Sequence, residues 1–143
     1  IQSGSTITWE AWDLKYKNNL DWNHAWGTAP VNIVARFLLG VRPLEPGFSR
    51  VLIQPQPGLL EQVTGIVPTI RGSIEISLVN RQAEPFELRI NIPSNMTAKV
   101  GVPRRDKQSR TIVVDGKKVE AVLEDEYLFW EDIGSGSHLL ISK

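Results

Sequence analysis

The spacing of apolar residues predicts one amphipathic helix in the first third of the chain. After Pro30, apolar residues recur at intervals of three and four, which places their side chains on one face of a helix. Proline suits the first turn of a helix, and Thr28 is a candidate cap. Gly40 should end the helix, and the prolines that follow predict an irregular connector at residues 41–48. The apolar positions of the helix are Ile33, Val34, Phe37 and Leu38.

From Arg50 onward the apolar residues alternate with polar ones, and this period of two predicts half-buried strands. Turn residues separate the alternating segments, and the dipeptide Asp115-Gly116 is typical of a tight hairpin. About eight short strands with one apolar face indicate an antiparallel β-sandwich. The alternation is clearest in residues 51–53, 74–79, 86–92, 111–114, 117–123, 127–131 and 138–141.

The predicted fold class is mainly β, with a C-terminal antiparallel β-sandwich preceded by helical elements. Four of the five tryptophans fall within the first 26 residues, so the composition also divides the chain. We therefore predict two regions, residues 1–49 and residues 50–143. A single helix with an aromatic-rich segment is too little to form a layered core of its own. We expect the first region to belong to a helical domain whose remainder lies outside this sequence.

Composition and charge exclude several classes of function. The chain has 16 Lys+Arg against 16 Asp+Glu, so it lacks the positive field that attracts nucleic acid or an anionic membrane surface. Its apolar runs are far shorter than the roughly 20 residues needed to cross a bilayer. It has no cysteine, and its two histidines are 114 positions apart. We therefore predict no disulfide framework, no metal site and no cofactor.

Acidic residues, a histidine and tryptophans are concentrated between residues 9 and 26. Sugar rings have apolar C–H faces that stack on indoles, and hydroxyls that need carboxylate, amide or imidazole partners. This mixture therefore favours carbohydrate as the ligand. Glu10 lies between Trp9 and Trp12, where desolvation can tune the pKa of its carboxyl group. It is our first candidate for a general acid or base.

The same residues also allow a purely structural interpretation. Clustered tryptophans can fill the junction between helix and sandwich, Asp13 and Asp21 can cap helices, and His24 can be a hydrogen-bonded core residue. A metal site formed by His24 with these two carboxylates matches no known ligand spacing. His138 follows a Gly-Ser-Gly-Ser segment and is interpreted as a solvated edge or turn residue. The residues alone leave the choice between site and structure open.

Four strings follow one another in the sequence: Trp-Glu-x-Trp-Asp at 9–13, Asn-His-x-x-Gly at 23–27, G-x-R-P-x-x-P-G-F at 40–48, and Q-P-Q-P-G at 54–58. Together they resemble the C-terminal part of bacterial α-L-rhamnosidases of glycoside hydrolase family 78. The resemblance extends over nearly the whole chain, and the combination of strings is more specific than any one of them.

The resemblance implies a glycosidase that hydrolyses terminal α-L-rhamnosyl bonds with inversion. Residues 1–49 would be the last helical elements of an (α/α)6-barrel catalytic domain, and residues 50–143 its trailing sandwich. Inversion requires a general acid and a general base about 6.5–9.5 Å apart. By resemblance, Glu10 is the base, His24 contacts the rhamnose ring, and Trp9 and Trp12 shape the pocket wall. The general acid would lie in an earlier part of the enzyme.

The resemblance also implies a rhamnose-containing glycan or glycoside as substrate, the missing N-terminal part of the same enzyme as partner, and a periplasmic or extracellular location. The chain alone should be inactive because it lacks the general acid. The segment between Glu10 and His24 is shorter than in many members, which leaves substrate preference open. Two alternatives remain: a non-catalytic carbohydrate-binding or structural β-sandwich module, and a related barrel glycosidase for another neutral or deoxy sugar.

Overall fold

The computed structural model of this chain describes residues 8–11, 15–19 and 24–143. A 3-10 helix (Ala25–Thr28) leads into helix α1 (Ala29–Ile33), which continues as a π-helical turn (Val34–Leu38). The Leu39 N–H donates to the Val34 carbonyl at 2.9 Å, the wider spacing of a π-helix. The predicted helix is therefore confirmed, although its second half is wider than an α-helix.

The two ends of this helical segment differ in how well they were predicted. Gly40 follows its C-terminus with a φ of +76°, as expected for a terminating glycine. Thr28 occupies the N-cap position but makes no capping hydrogen bond. Its hydroxyl donates instead to the Ala25 carbonyl at 2.7 Å, so the predicted cap is wrong. Pro30 in the first turn removes one of the N–H groups that a cap would satisfy.

The described part of the chain contains eleven strands in two sheets. The strands are β1 (Val41–Pro43), β2 (Arg50–Ile53), β3 (Gln62–Thr69), β4 (Gly72–Val79), β5 (Phe86–Ile92), β6 (Thr97–Pro103), β7 (Thr111–Val114), β8 (Lys117–Glu120), β9 (Val122–Glu124), β10 (Tyr127–Ile133) and β11 (Gly136–Ser142). One sheet has the order β1-β2-β6-β10-β9 and the other β3-β4-β5-β11-β7-β8. The predicted β-sandwich is confirmed.

The sandwich core lies between the two sheets. The alternation predicted for residues 74–79 and 86–92 is confirmed, because every second residue from Ile74 in β4 and from Phe86 in β5 is buried. The other sheet contributes alternate residues of β2, together with buried residues of β6 and β10 that do not alternate strictly. Burial on this scale is the main stabilising term of the fold. Core residues with almost no exposed surface include Val51, Ile53, Ile74, Ile76, Leu78, Phe86, Leu88, Val100, Val102 and Leu128.

The structure corrects three details of the predicted sheet arrangement. Residues 41–43 of the predicted connector form β1, which pairs with β2, and Pro46–Phe48 form a 3-10 turn. The sheets are not wholly antiparallel, since β2 and β6 pair in parallel. Strands β3 and β6 had not been predicted.

Each of the two strands that had not been predicted contains a glycine that interrupts its apolar pattern. A Cβ atom at Gly65 in β3 would lie 2.6 Å from Leu39 Cδ1, and one at Gly101 in β6 would lie 2.5 Å from Phe129 Cε1. Each glycine therefore leaves room for a large side chain that belongs to another element. Pro68 is tolerated because β3 is an edge strand, where a missing N–H need not interrupt a ladder.

Alanine at Gly40 should be more destabilising than alanine at Gly116. Both glycines have a left-handed φ, +76° and +80°, so both variants should lose about 1–2 kcal/mol from that conformation. At Gly40 the new Cβ would also overlap the Gln54 backbone, whereas nothing lies within 4 Å at Gly116. We expect a total loss of about 3 kcal/mol or more at Gly40. Urea unfolding of the two variants measures this difference, and equal losses would contradict the close backbone approach.

Candidate active site

The candidate residues that the structure describes lie in irregular segments that precede α1. Trp9, Glu10 and His24 are among the described residues, whereas Trp12 lies outside them, as do Asp13 and Asp21.

A contact between Thr8 and Gly27 holds the two candidate segments side by side. The Thr8 hydroxyl donates to the Gly27 carbonyl. A Cβ atom at residue 27 would overlap the Thr8 carbonyl oxygen, so this position needs glycine. The glycine of the Asn-His-x-x-Gly string therefore has a steric role, because it lets the Glu10 segment approach the His24 segment.

Glu10 has a buried carboxylate with two basic side chains close to it. Its side chain is 1% exposed, and its Oε1 atom forms an ion pair with the Lys17 ammonium. The same oxygen lies 3.7 Å from His24 Nε2. A buried carboxylate is costly unless it is paired, and the Lys17 ammonium supplies an opposite charge. The structure thus brings Glu10 and His24 together, although they are 14 positions apart in the sequence.

The orientation of His24 follows from its backbone neighbour. Its Nδ1 atom accepts a hydrogen bond from the Trp26 N–H at 3.4 Å. A neutral imidazole that accepts at Nδ1 carries its proton on Nε2, the atom that faces Glu10. The His24 side chain is 36% exposed in this chain.

Two indole rings near the carboxylate are open to solvent. Trp9 is 38% exposed and Trp26 is 62% exposed. Neither belongs to the buried cluster between the sheets. The Trp26 ring packs against the imidazole of His24, with ring centroids 4.3 Å apart and planes tilted by 35°. An exposed indole face beside a polar cluster suits the apolar face of a sugar.

Lys17 is a residue of this cluster that had not been predicted. The residue lies in the segment between the two recognisable strings, where neither a motif nor a periodicity marks it. Its Nζ atom lies 5.5 Å from the centroid of the Trp26 ring, within the range of a cation–π interaction. The only signal available was a positive charge near Glu10 in the sequence, which does not specify a contact.

Within the described residues, no group of three or more histidine, cysteine or acidic side chains is arranged to hold a metal ion. None of the described helices is both long enough and apolar enough to cross a membrane.

His138 and the cavity beside it lie away from this cluster. A shallow cavity of about 640 Å³ on the six-stranded sheet is lined in part by His138, Asp115 and Leu139. His138 Nδ1 lies 2.8 Å from Asp115 Oδ2, and its Nε2 lies 3.1 Å from the Gly134 carbonyl. Partial burial opposes ionisation of Asp115, but hydrogen bonds from His138 and the Leu139 N–H outweigh it and lower the pKa of the Asp115 carboxyl. The His138 side chain therefore links its own strand, β11, to the turn at Asp115. It is also more buried than predicted.

Comparison with known proteins relates the chain to one group of enzymes. Residues 40–117 match the family model described as the bacterial alpha-L-rhamnosidase C-terminal domain. The alpha-L-rhamnosidase of Streptomyces avermitilis is 32% identical to this chain over 149 aligned positions, which cover 96% of the chain and 14% of that protein.

Solved structures extend this likeness to the fold of nearly the whole chain. The alpha-L-rhamnosidase from Dictyoglumus thermophilum superposes with a TM-score of 0.80 at 26% identity, covering 99% of this chain and 17% of that one. The Streptomyces avermitilis alpha-L-rhamnosidase, solved in complex with L-rhamnose, superposes with a TM-score of 0.77 at 28% identity. This superposition covers 99% of this chain and 14% of that one. The chain therefore spans only 12 to 17% of the length of the alpha-L-rhamnosidases that these comparisons relate it to.

Proposed function

Since this chain belongs to the bacterial α-L-rhamnosidase C-terminal domain family, we propose that it is the C-terminal part of an inverting glycosidase that cleaves terminal α-L-rhamnosyl bonds. One observation carries the proposal. The Glu10 carboxylate is 1% exposed and lies 3.7 Å from the His24 imidazole, beside exposed indole rings. A buried carboxylate next to sugar-binding side chains has the chemistry that a glycosidase base needs.

In the proposed reaction, Glu10 removes a proton from a water molecule as the water oxygen attacks the anomeric carbon. The bond between that carbon and the aglycone oxygen breaks, and a general acid protonates the departing oxygen. The two carboxyl groups stand about 6.5–9.5 Å apart to leave room for the water. His24 contacts the rhamnose ring, and Trp9 and Trp12 form part of the pocket wall. The product has the opposite anomeric configuration.

The general acid belongs to the part of the enzyme that precedes this chain. We propose that residues 1–49 are the last helical elements of an (α/α)6 barrel and that residues 50–143 form the trailing sandwich, although strand β1 already begins at Val41. Apolar side chains of the helical segment support this assignment, because Val31 is 73% exposed and Phe37 is 42% exposed. The rest of the barrel would cover this apolar surface.

The substrate would be a rhamnose-containing glycan or glycoside, and the N-terminal part of the same enzyme would be the partner of this chain. We also propose a periplasmic or extracellular location, where such glycans are degraded. Hydrolysis by two carboxyl groups requires no cofactor.

The test is hydrolysis of an aryl α-L-rhamnoside by the full-length protein, with the anomeric configuration of the first product followed by NMR. We expect the inverted product from the full-length protein and no turnover from the 143-residue chain. A retained configuration would refute the inverting mechanism, and turnover by the chain alone would refute an acid located elsewhere. Hydrolysis of aryl fucosides or glucosides instead would favour a different glycone. Glycan binding without turnover would favour the non-catalytic module.

A further inference from the structure

We propose that Lys17 is a positioning residue, whose ammonium keeps the Glu10 carboxylate ionised and oriented towards the attacking water. This inference rests on the proposed function of Glu10 as general base. Lys17 lies outside the strings at 9–13 and 23–27, and outside the range 40–117 that matches the family model.

The burial of Glu10 explains how a nearby positive charge would support this role. With its side chain 1% exposed, the carboxylate has lost most of its hydration, and burial favours the neutral acid. A protonated carboxyl cannot accept a proton from water. The Lys17 ammonium contacts Oε1 and opposes this effect. Lys17 itself is 34% exposed, so the lysine retains part of its hydration and its own desolvation cost is smaller.

The Lys17 ammonium is held in place from a second direction. Its Nζ atom lies 5.5 Å from the centroid of the Trp26 ring, which in turn packs against His24. The cation thus lies between a carboxylate and the face of an indole, and both interactions favour its position. In this arrangement the lysine contacts the Oε1 atom of Glu10.

Within the described residues, charged and titratable side chains contact or approach the Glu10 carboxylate from two segments. Lys17 contacts Glu10 from the turn at residues 15–19, and His24 approaches the same oxygen from the residue that precedes the 3-10 helix. The neighbouring Lys15 ammonium lies 4.8 Å from the centroid of the Tyr16 ring. The Lys17 variants keep His24 itself unchanged, and its Nε2 lies 3.7 Å from the same oxygen in the unaltered chain.

The first test compares pH profiles of kcat/KM for the full-length enzyme and its Lys17→Met, Lys17→Gln and Lys17→Arg variants. An opposite charge at this range lowers a carboxyl pKa by about 1 to 3 pH units. We therefore expect the acid limb of the profile to move to higher pH by that amount in the Met and Gln variants. In the arginine variant the acid limb should return to its position in the unaltered enzyme. The alkaline limb should not move in any of the three variants. The control is Lys118→Met, which removes an exposed positive charge on β8 and should leave the profile unchanged.

The second test needs no catalysis and uses the 143-residue chain. The carboxyl carbon of Glu10, followed by ¹³C NMR against pH, should titrate at higher pH in Lys17→Met than in the unaltered chain. If both the acid limb and this midpoint are unmoved, or if activity falls equally at every pH, Lys17 does not act through Glu10. If the midpoint of the Glu10 titration moves but the Glu10→Gln enzyme retains turnover, Glu10 is not the general base, although Lys17 still stabilises its carboxylate.

Discussion

Replacing Glu10 with glutamine in the full-length enzyme should lower kcat on an aryl α-L-rhamnoside by about 10²- to 10⁴-fold, with little change in KM. The amide has nearly the same shape as the carboxylate but cannot take a proton from the attacking water. Steady-state kinetics separates the two parameters, and a loss confined to kcat identifies an interaction that is made in the transition state.

The matched control for this experiment is Glu120→Gln, the same change on the exposed strand β8, which should behave as the unaltered enzyme. Unchanged turnover in Glu10→Gln would remove Glu10 from the mechanism. A raised KM with an unchanged kcat would make Glu10 a substrate-binding residue instead of the base.

Phe86→Ala should destabilise the 143-residue chain by about 3–5 kcal/mol. The Phe86 side chain is 0% exposed at the start of β5, where it packs in the core between the two sheets. Truncation to alanine removes apolar contacts and leaves a cavity, because the two packed sheets cannot move together enough to fill the space. Urea unfolding measures the loss as a lower midpoint at an unchanged slope.

Phe37→Ala is the matched control, because the same atoms are removed from a ring that is 42% exposed. This variant should lose less than about 1 kcal/mol in the isolated chain. Similar losses for the two phenylalanines would show that the helical segment contributes as much to stability as the core between the sheets.

Much of the sandwich could be predicted from the sequence because each sheet has one buried face. The period of two in residues 74–79 and 86–92 follows from the geometry of a strand, whatever surrounds it. The Asp115-Gly116 hairpin was predictable for a similar reason: both residues have a positive φ, at 48° and 80°, which suits these residue types. Local conformational preference and the sheet pattern agree in these segments.

Strands β3 and β6 and the parallel pairing of β2 with β6 were decided by tertiary structure. Gly65 and Gly101 weaken the strand pattern locally. Glycine is needed at these positions because the side chains of Leu39 and Phe129, respectively, approach them from other elements. Strand pairing between distant segments depends on how the two sheets close over a shared core, which no window of the sequence contains.

The candidate site, like the sandwich, could be predicted from the sequence only in part. The sequence by itself determined which residues to consider, since Glu10, His24 and the tryptophans belong to recognisable strings. Only the tertiary structure decided that Glu10 is buried, that Lys17 contacts its carboxylate, and that the Trp26 face is open. These contacts join residues in irregular segments, where no helical or strand period relates sequence distance to spatial distance. These contacts depend on where the chain reverses direction and on which side chains become buried, and both are determined only when the whole chain folds.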